Sequence, residues 1–183
     1  MTDEQIIAEI KNGNEALFRE IITRYESQVA STIIGMLGKS TEAEDIGQEV
    51  FIRFYNALYN FRGDSSIGTY LTRIAINLSI NALKRRKKHH LLFKRQEGNE
   101  TELSEPMEKG INDIEMERIV QAAIQKLPRK QRAALVLRLI DGYSTKETAR
   151  ILNIPVGTVL SRLSRAQDRL KILLRPYLKE EIE

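Results

Sequence analysis

The chain has 183 residues and a net charge of +4, from 29 lysines and arginines against 25 aspartates and glutamates. It contains no cysteine, which excludes disulfide bonds and zinc sites built on thiolates. No apolar run approaches the roughly 20 residues that a membrane-spanning helix needs, and the first residues carry acids where a signal peptide needs bases. The length fits one medium domain or two small ones, and we expect a cytoplasmic protein.

Charge is distributed unevenly along the chain. Residues 96–117 carry eight acidic residues and one basic residue, for a net charge of −7. Residues 1–95 have a net charge of +3 and residues 118–183 a net charge of +8. Two basic modules therefore flank an acidic connector, and this balance favours a polyanionic partner without identifying it.

Almost the whole chain has the apolar spacing that predicts α-helix, and few stretches alternate as strands do. Thr41 and Glu44 have the spacing of a capping box, which predicts the start of a helix. Gly38 lies in the break before it, and residues 61–66 have turn chemistry. The helices predicted in the N-terminal half cover residues 3–11, about 14–37, 41–58 and about 68–88.

From about His89 to Asn112 the helical pattern is lost, and this stretch has too little apolar surface to fold alone. It predicts a flexible linker. Beyond it, helices are predicted over residues 113–127 and 128–139, followed by a turn at 141–143 and a pair of helices at 144–171. We therefore predict an all-α protein of two small helical bundles joined by a flexible linker. The predicted units are residues 1–90, an acidic linker at 91–112, and residues 113–183.

Residues 144–171 predict two short helices joined by a tight turn. Ser144 and Glu147 form a capping box at the start of the first helix, which ends at Asn153-Ile154. Pro155 suits the first position of the second helix, because its ring fixes a helical φ and its missing donor is not needed there. The pattern is typical of a helix-turn-helix.

The second of these helices has two faces of opposite character. One is an apolar stripe suited to a core, formed by Val159, Leu163, Ala166, Leu170 and Leu173. The other has small hydroxyl residues near the helix start and arginines behind them, at Thr158, Ser161, Arg162, Arg165 and Arg169. Such a face is suited to contact base edges and phosphates together, and a solvated helix face is the alternative.

Two helices of the N-terminal half also have distinctive exposed faces. The face of the predicted helix 41–58 mixes acids and amides with an isoleucine and suits either docking on a protein or simple solvation. The predicted helix 68–88 has bases and amides along one side, at Arg73, Asn77, Asn81, Lys84 and Lys88. These residue types suit unpaired base edges and a nucleic-acid backbone. Phe61 and Tyr70 offer stacking surfaces nearby, or pack in the core.

The sequence has no constellation typical of a catalytic site. It lacks a nucleophile paired with a histidine base, a glycine-rich phosphate loop and a carboxylate set with metal-ligand spacing. Its two histidines, His89 and His90, are adjacent and so do not share a helix face. We expect no enzyme activity, no metal and no cofactor.

Three segments in order resemble the extracytoplasmic-function (ECF) branch of bacterial sigma factors. Residues 43–54 (AEDIGQEVFIRF) resemble the family's helix that docks on the clamp helices of the largest subunit of RNA polymerase. Residues 61–86 (FRGDSSIGTYLTRIAINLSINALKRR) resemble its segment that melts and reads the minus-10 promoter element. Residues 127–166 resemble its domain that reads the minus-35 element.

The resemblance implies three groups of contact residues. Core polymerase would be contacted by Asp45, Gln48, Glu49 and Arg53. The opened minus-10 strand and its phosphates would be contacted by Arg62, Asp64, Ser65, Ser66, Tyr70, Arg73, Asn77, Asn81, Lys84, Arg85 and Arg86. The minus-35 duplex would be contacted by Thr158, Ser161, Arg162 and Arg165 in the groove, and by Ser144, Thr145 and Lys146 near the backbone.

The chain departs from the family pattern at four positions. The family commonly has Trp where this chain has Tyr70, Asp at Asn81, Lys at Leu160 and Arg at Gln167. These differences leave the expected fold intact and leave the preferred promoter sequence open.

The expected function is that of a sigma factor, which brings core RNA polymerase to a subset of promoters and helps to open the DNA there. Its expected partners are core RNA polymerase and promoter DNA, and the family commonly has an anti-sigma factor. Because binding supplies the free energy of opening, we expect the chain alone to have little affinity for duplex DNA. The alternatives are a self-sufficient helix-turn-helix regulator and a helical adaptor protein whose basic faces are merely solvated.

Overall fold

The computed structural model describes residues 1–93 and 113–177. Within these ranges the chain forms α-helices and short helical turns, and no strand, as the sequence predicts. The helices are α1 (Asp3–Lys11), α2 (Phe18–Leu37), α3 (Thr41–Ala57), α4 (Ile67–Phe93), α5 (Asp113–Gln125), α6 (Arg129–Leu135), α7 (Thr145–Leu152) and α8 (Val156–Leu174). A π-helical turn at Val136–Ile140 continues α6.

The capping residues of two helices lie one residue from their predicted positions, in opposite directions along the chain. The side chain of Ser40, rather than that of Thr41, caps α3, since its Oγ accepts a hydrogen bond from the Ala43 backbone N at 3.2 Å. Pro155 is the residue before α8 and not its first residue, with an extended backbone at φ −60° and ψ 148°. In both cases the capping residue has an extended backbone, so α3 begins at Thr41, one residue before the position implied by a Thr41 cap, and α8 begins at Val156, one residue after the predicted start.

Helix α4 is longer than predicted. It runs from Ile67 to Phe93 and includes His89 and His90, which the sequence placed in a linker. The remainder of the predicted linker, residues 94–112, lies outside the described residues. Among the helices that are described, none is long and apolar enough to cross a membrane.

The N-terminal bundle is formed by α2, α3 and α4 around a continuous apolar core. Phe54 is fully buried at its centre, and its ring stands 6.2 Å from that of Phe18, 5.7 Å from that of Phe61 and 5.6 Å from that of Tyr70, measured between centroids. Such aromatic pairs stabilise a core beyond the area that they bury. The cluster fixes the start of α4 against α3.

The C-terminal bundle packs α6 against α8 and α7 against α8. Its own core is small and consists of Ile124, Leu127, Leu135 and Ala166, with Val120, Leu163 and Leu170 packed around them. Asn153, with φ +51°, ends α7 in the left-handed conformation, as a tight helix-turn-helix corner requires. The helix-turn-helix therefore forms where the sequence predicts it.

The two bundles pack on one another, which the sequence did not predict. Helix α2 contacts α5, α6 and the π-helical turn, and α4 contacts α7. Ala133, Val136, Leu137 and Ile151 belong to the same buried cluster as the N-terminal core. At Gly35 the approach is so close that an added Cβ would lie 2.9 Å from Val136 Cγ1. We call this contact the interbundle interface.

Candidate nucleic-acid and protein interfaces

The residues predicted to face polymerase lie together on the exposed side of α3. Asp45, Gln48 and Arg53 are exposed and Glu49 is partly buried. They are spaced at three, four and eight residues from Asp45, so they share one helix face. Arg53 Nε and Glu49 Oε1 are 2.7 Å apart, which orders two members of the set. We call these four residues the α3 face.

An apolar groove of about 520 Å³ lies between α2 and α3 and borders the α3 face at Gln48. Its floor includes Ile33 and Phe51, and Ile22 and Val29 are also among its lining residues. The sequence does not predict this groove, because its shape depends on how α2 and α3 pack against each other. The signal available was that α2 has more apolar residues than one core stripe can use.

The predicted minus-10 residues of α4 fall into two groups. Asn77, Asn81 and Lys84 are exposed along one side of the helix. Arg73 is also exposed, but its Nη2 donates a hydrogen bond to the backbone O of Arg150 in α7 at 3.3 Å. The side of α4 predicted to read DNA is therefore in contact with the first helix of the helix-turn-helix.

Arg85 and Arg86 both pair with Glu42 of α3. The distances from Glu42 are 3.6 Å to Arg85 Nη2 and 2.7 Å to Arg86 Nε. Arg86 Nη1 also donates to the Leu37 backbone O at 3.4 Å, where a cation stabilises the C-terminus of α2. Arg86 is thus part of the N-terminal bundle, besides being a candidate phosphate contact.

The loop before α4 holds the remaining predicted minus-10 residues. Arg62, Asp64 and Ser66 are exposed and Ser65 is partly buried. Ser66 Oγ accepts a hydrogen bond from the Thr69 backbone N at 3.2 Å, so this residue also caps α4. Tyr70 is partly buried, with its ring centroid 5.3 Å from that of Phe61. Of the two readings of Tyr70, core packing is the one seen here.

The predicted minus-35 residues line the helix-turn-helix. Ser144 and Glu147 form the predicted capping box, with hydrogen bonds of 3.2 Å and 2.8 Å. The bonds from Ser144 hold the pKa of the Glu147 carboxyl below its usual value. On α8, Ser161 and Arg165 are exposed. Lys146 of α7 is also exposed, and the remaining members of the group are partly buried: Thr145, Thr158 and Arg162.

Arg132 joins the two bundles through a buried guanidinium, a contact that the sequence does not predict. Its Nη1 donates to the Met36 backbone O of α2 at 2.6 Å and to Gln125 Oε1 at 2.8 Å. Its Nη2 donates to the backbone O atoms of Leu127, at 3.0 Å, and of Gln125. Burial, with a smaller contribution from the charge of Arg86, lowers the pKa of Arg132 to about 10.

A second polar cluster joins the turn after the π-helical segment to α2. Asp141 accepts hydrogen bonds from Ser31 Oγ at 3.0 Å and Thr32 Oγ1 at 2.8 Å. Burial raises the pKa of Asp141, and these two hydrogen bonds oppose the rise. Tyr143 Oη accepts from Gln28 Nε2 at 2.5 Å. The sequence predicts only a turn here, since the partners of Asp141 and Tyr143 are more than 100 residues away along the chain.

Comparisons with known proteins assign the two bundles to one family. The family described as "Sigma-70 region 2" matches residues 21–89, and "Sigma-70, region 4" matches residues 117–170. The chain is 34% identical to RNA polymerase sigma-H factor of Pseudomonas aeruginosa, over 97% of this chain and 96% of the relative. It is 36% identical to ECF RNA polymerase sigma factor SigW of Bacillus subtilis, over 92% and 95%. It is 34% identical to ECF RNA polymerase sigma-E factor of Escherichia coli, over 98% and 97%.

Solved structures agree on the fold. The structure of CnrH in complex with the cytosolic domain of CnrY matches 95% of this chain with a TM-score of 0.69 and 24% identity. The sigma factor RpoE in complex with the anti-sigma factor NepR from Bartonella quintana matches 86% with a TM-score of 0.66 and 24% identity.

The chain is therefore a transcription initiation factor of the sigma-70 class, which directs core RNA polymerase to promoters. Within that class it belongs to the ECF sigma factors, as the resemblance in its motifs implies. The comparisons give no support to a self-sufficient helix-turn-helix regulator.

Proposed function

We propose that the α3 face and the apolar groove beside it form the docking site for core polymerase. The charged and amide side chains of Asp45, Gln48 and Arg53 supply polar contacts at the rim, and the groove supplies an apolar centre. This arrangement is typical of a protein–protein interface. The observation that carries the proposal is that the exposed polar residues and the groove adjoin on one side of the N-terminal bundle.

The exposed side of α4 and the loop at 61–66 contact the opened minus-10 strand in this proposal. Asn77 and Asn81 have amide donors and acceptors for unpaired base edges, and Lys84 suits a phosphate. The helix-turn-helix contacts the minus-35 duplex through α8, with Arg162 and Arg165 as its cations. The proposed units are an N-terminal domain at 1–90, a linker at 91–112 and a C-terminal domain at 113–183.

Promoter binding requires the bundles to separate. The minus-10 and minus-35 elements are about 25 base pairs apart, or about 85 Å along the duplex at 3.4 Å per base pair. In the structure, residues of α4 and α8 border one cleft. A segment of 19 residues, the number from 94 to 112, spans at most about 65 Å when extended. The widths of the two bundles would cover the rest of the roughly 85 Å between the promoter elements. In this proposal the packed arrangement is the one that the protein adopts before it engages a promoter.

Transcription with purified components tests this function. Core RNA polymerase and a promoter library are mixed with the chain, and we expect initiation that depends on both proteins. Duplex binding without polymerase, together with no initiation, would instead fit the independent regulator. If neither occurs, the helical adaptor is the remaining reading.

We further propose that a partner protein of the anti-sigma type binds this chain. RpoE was solved in complex with the anti-sigma factor NepR, and CnrH in complex with the cytosolic domain of CnrY. The groove beside α3 is a surface on which such a partner would compete with polymerase. The protein acts in the cytoplasm, where core polymerase is found, and by binding alone. The test is to copurify the chain with its partner and then to measure whether core polymerase displaces the partner from the chain.

A further inference from the structure

A cationic cleft of about 480 Å³ lies between the two bundles. Leu83 and Lys87 of α4 form its N-terminal side, and the start of α6 and the exposed side of α8 form the other. Its lining includes six basic residues: Lys87, Arg129, Lys130, Arg132, Arg162 and Arg165. We call it the interbundle cleft.

Among the described residues, no carboxylate balances the positive charge of the cleft. Its described lining contains no acidic residue. None of the six basic residues forms an ion pair with a carboxylate of the described residues, whereas Arg85 and Arg86 on the same helix as Lys87 both pair with Glu42. Like charges gathered within a Debye length repel one another, so the packed arrangement of the bundles has an electrostatic cost at this point.

Arg132 shows that part of this charge is held away from water. Its side chain is 5% exposed, and its Nε has no hydrogen-bond partner. The Nη atoms are saturated by main-chain and amide oxygens rather than by a carboxylate. A buried cation without a counter-ion is costly, and an anion nearby would offset that cost.

The size of the cleft decides between anions. Pockets of about 300–1,000 Å³ are typical of small-molecule sites. A DNA duplex instead needs a wide, open surface, and each of its phosphates contacts only a few side chains. A compact ligand with several phosphate groups would reach the five accessible basic residues at once and would lie near the buried charge of Arg132. It would also bridge the bundles, because Lys87 comes from one of them and Lys130 from the other.

We propose that the interbundle cleft binds a compact polyphosphate anion, such as the phosphate chain of a nucleotide or of inorganic polyphosphate. Binding there holds the two bundles together. It also occupies Arg162 and Arg165, which the proposed function assigns to the minus-35 duplex, so the anion and the promoter exclude each other. Binding itself needs neither polymerase nor a promoter.

Titration calorimetry with inorganic tripolyphosphate at constant ionic strength tests the site. We expect binding that is much stronger than that of orthophosphate. The double variant Lys87→Gln/Lys130→Gln, with one change in each bundle, should weaken binding by about tenfold or more, as expected when charge-assisted hydrogen bonds are removed. The matched control, Lys126→Gln/Lys171→Gln, changes two exposed lysines outside the cleft and should bind normally.

Bridging is measured by energy transfer between dyes. The chain has no cysteine, so Glu9→Cys on α1 and Asp168→Cys on α8 provide unique labelling sites, both exposed. Tripolyphosphate should raise the transfer efficiency in the wild type and in the control, and not in the Lys87/Lys130 variant.

Several results would overturn the inference. They are an affinity no better than that of orthophosphate, equal weakening in both double variants, or a fall in transfer on binding. If tripolyphosphate binds and bridges the bundles as expected but polymerase-dependent initiation is absent, the proposed function fails and the cleft assignment stands. If initiation occurs and tripolyphosphate does not bind, the proposed function stands and the cleft assignment fails.

Discussion

The two bundles present their candidate DNA-binding helices in different ways. Helix α4 is packed against both α2 and α3, and two of the arginines near its end are paired with Glu42. Helix α8 buries only Val159 and Ala166, and its candidate arginines have no carboxylate partner among the described residues. A rigid helix with neutralised bases and exposed amides suits base edges of a separated strand, whereas unpaired arginines suit the phosphates of a duplex.

The difference extends to stability. The N-terminal bundle has a large core, and the C-terminal bundle shares Ala133, Val136, Leu137 and Ile151 with it. The core that the C-terminal bundle keeps for itself has four buried residues. When the bundles separate, the C-terminal one loses more of its buried apolar contacts, so we expect it to be the less stable of the two when open.

The largest expected effect is a loss of affinity for core polymerase when the α3 face is changed, with no loss when α8 is changed. Asp45→Arg reverses a charge on the α3 face and should weaken binding to core polymerase by about 3 kcal/mol, or about a hundredfold, because like charges at an interface cost several kcal/mol. Asp168→Arg, at an exposed site on α8, is the control and should bind normally. Both are measured by fluorescence anisotropy with labelled polymerase, after circular dichroism has confirmed the fold. Undiminished binding by Asp45→Arg would refute the assignment of the α3 face.

A smaller effect would test the duplex role of α8. Arg162→Ala should weaken use of the minus-35 element by about 1–3 kcal/mol if the guanidinium contacts a base edge. Transcription from promoters with single changes in that element is the measurement. A loss that is equal for all sequences, with a shallower dependence on salt, would mark a phosphate contact instead. Lys171→Ala removes a cation from the same helix outside the cleft and serves as the reference.

The interbundle interface can be disturbed by one methyl group. Gly35→Ala brings a Cβ to 2.9 Å from Val136 Cγ1, and valine is stiff, so the bundles should move apart at a cost of about 1–2 kcal/mol. Energy transfer between the dye sites should fall. Adding Val136→Ala should restore it, since the clashing atoms are then gone. Gly47→Ala, whose new Cβ would lie 3.9 Å from Ile33, should leave the transfer unchanged. A Gly35→Ala protein that stays closed would show that this contact does not hold the bundles together.

The smallest effect distinguishes the two candidate caps of α3. Ser40→Ala should cost about 1 kcal/mol of unfolding free energy, because it removes the acceptor of the Ala43 amide. Thr41→Ala should change the stability by a few tenths of a kcal/mol at most, as at most exposed sites. Urea unfolding of both variants measures the difference. Equal losses would favour the capping box predicted from the sequence.

The sequence predicts local features of this protein better than distant ones. The helix-turn-helix and the capping box at Ser144 follow from spacings within one or two turns, and the structure has them. The α3 face likewise follows from helical periodicity. Tyr70 was left undecided, because an aromatic residue at a helix start suits both a core and a stacking site.

Contacts between distant segments could not be read in the same way. The role of Arg132 is not predicted, since nothing near it in sequence shows that it reaches Met36, 96 residues away. The same holds for Asp141. Aspartate is a common turn residue, and nothing nearby in sequence shows that Ser31 and Thr32 donate hydrogen bonds to it. The groove beside α3 depends on the angle between two helices, which apolar spacing does not determine.

The hydrogen bond from Arg73 to Arg150 bears on how the protein searches a genome. A promoter competes with about 10⁶–10⁹ nonspecific sites, and any exposed cation increases residence on all of them. While the bundles are packed, one nitrogen of the exposed Arg73 guanidinium donates to the end of α7, and in the proposed function this donor is released for DNA when the bundles part. If Arg73 contacts the opened strand as proposed, part of its contribution to DNA binding is gained only when the bundles separate, so the separation and the binding of the strand are coupled.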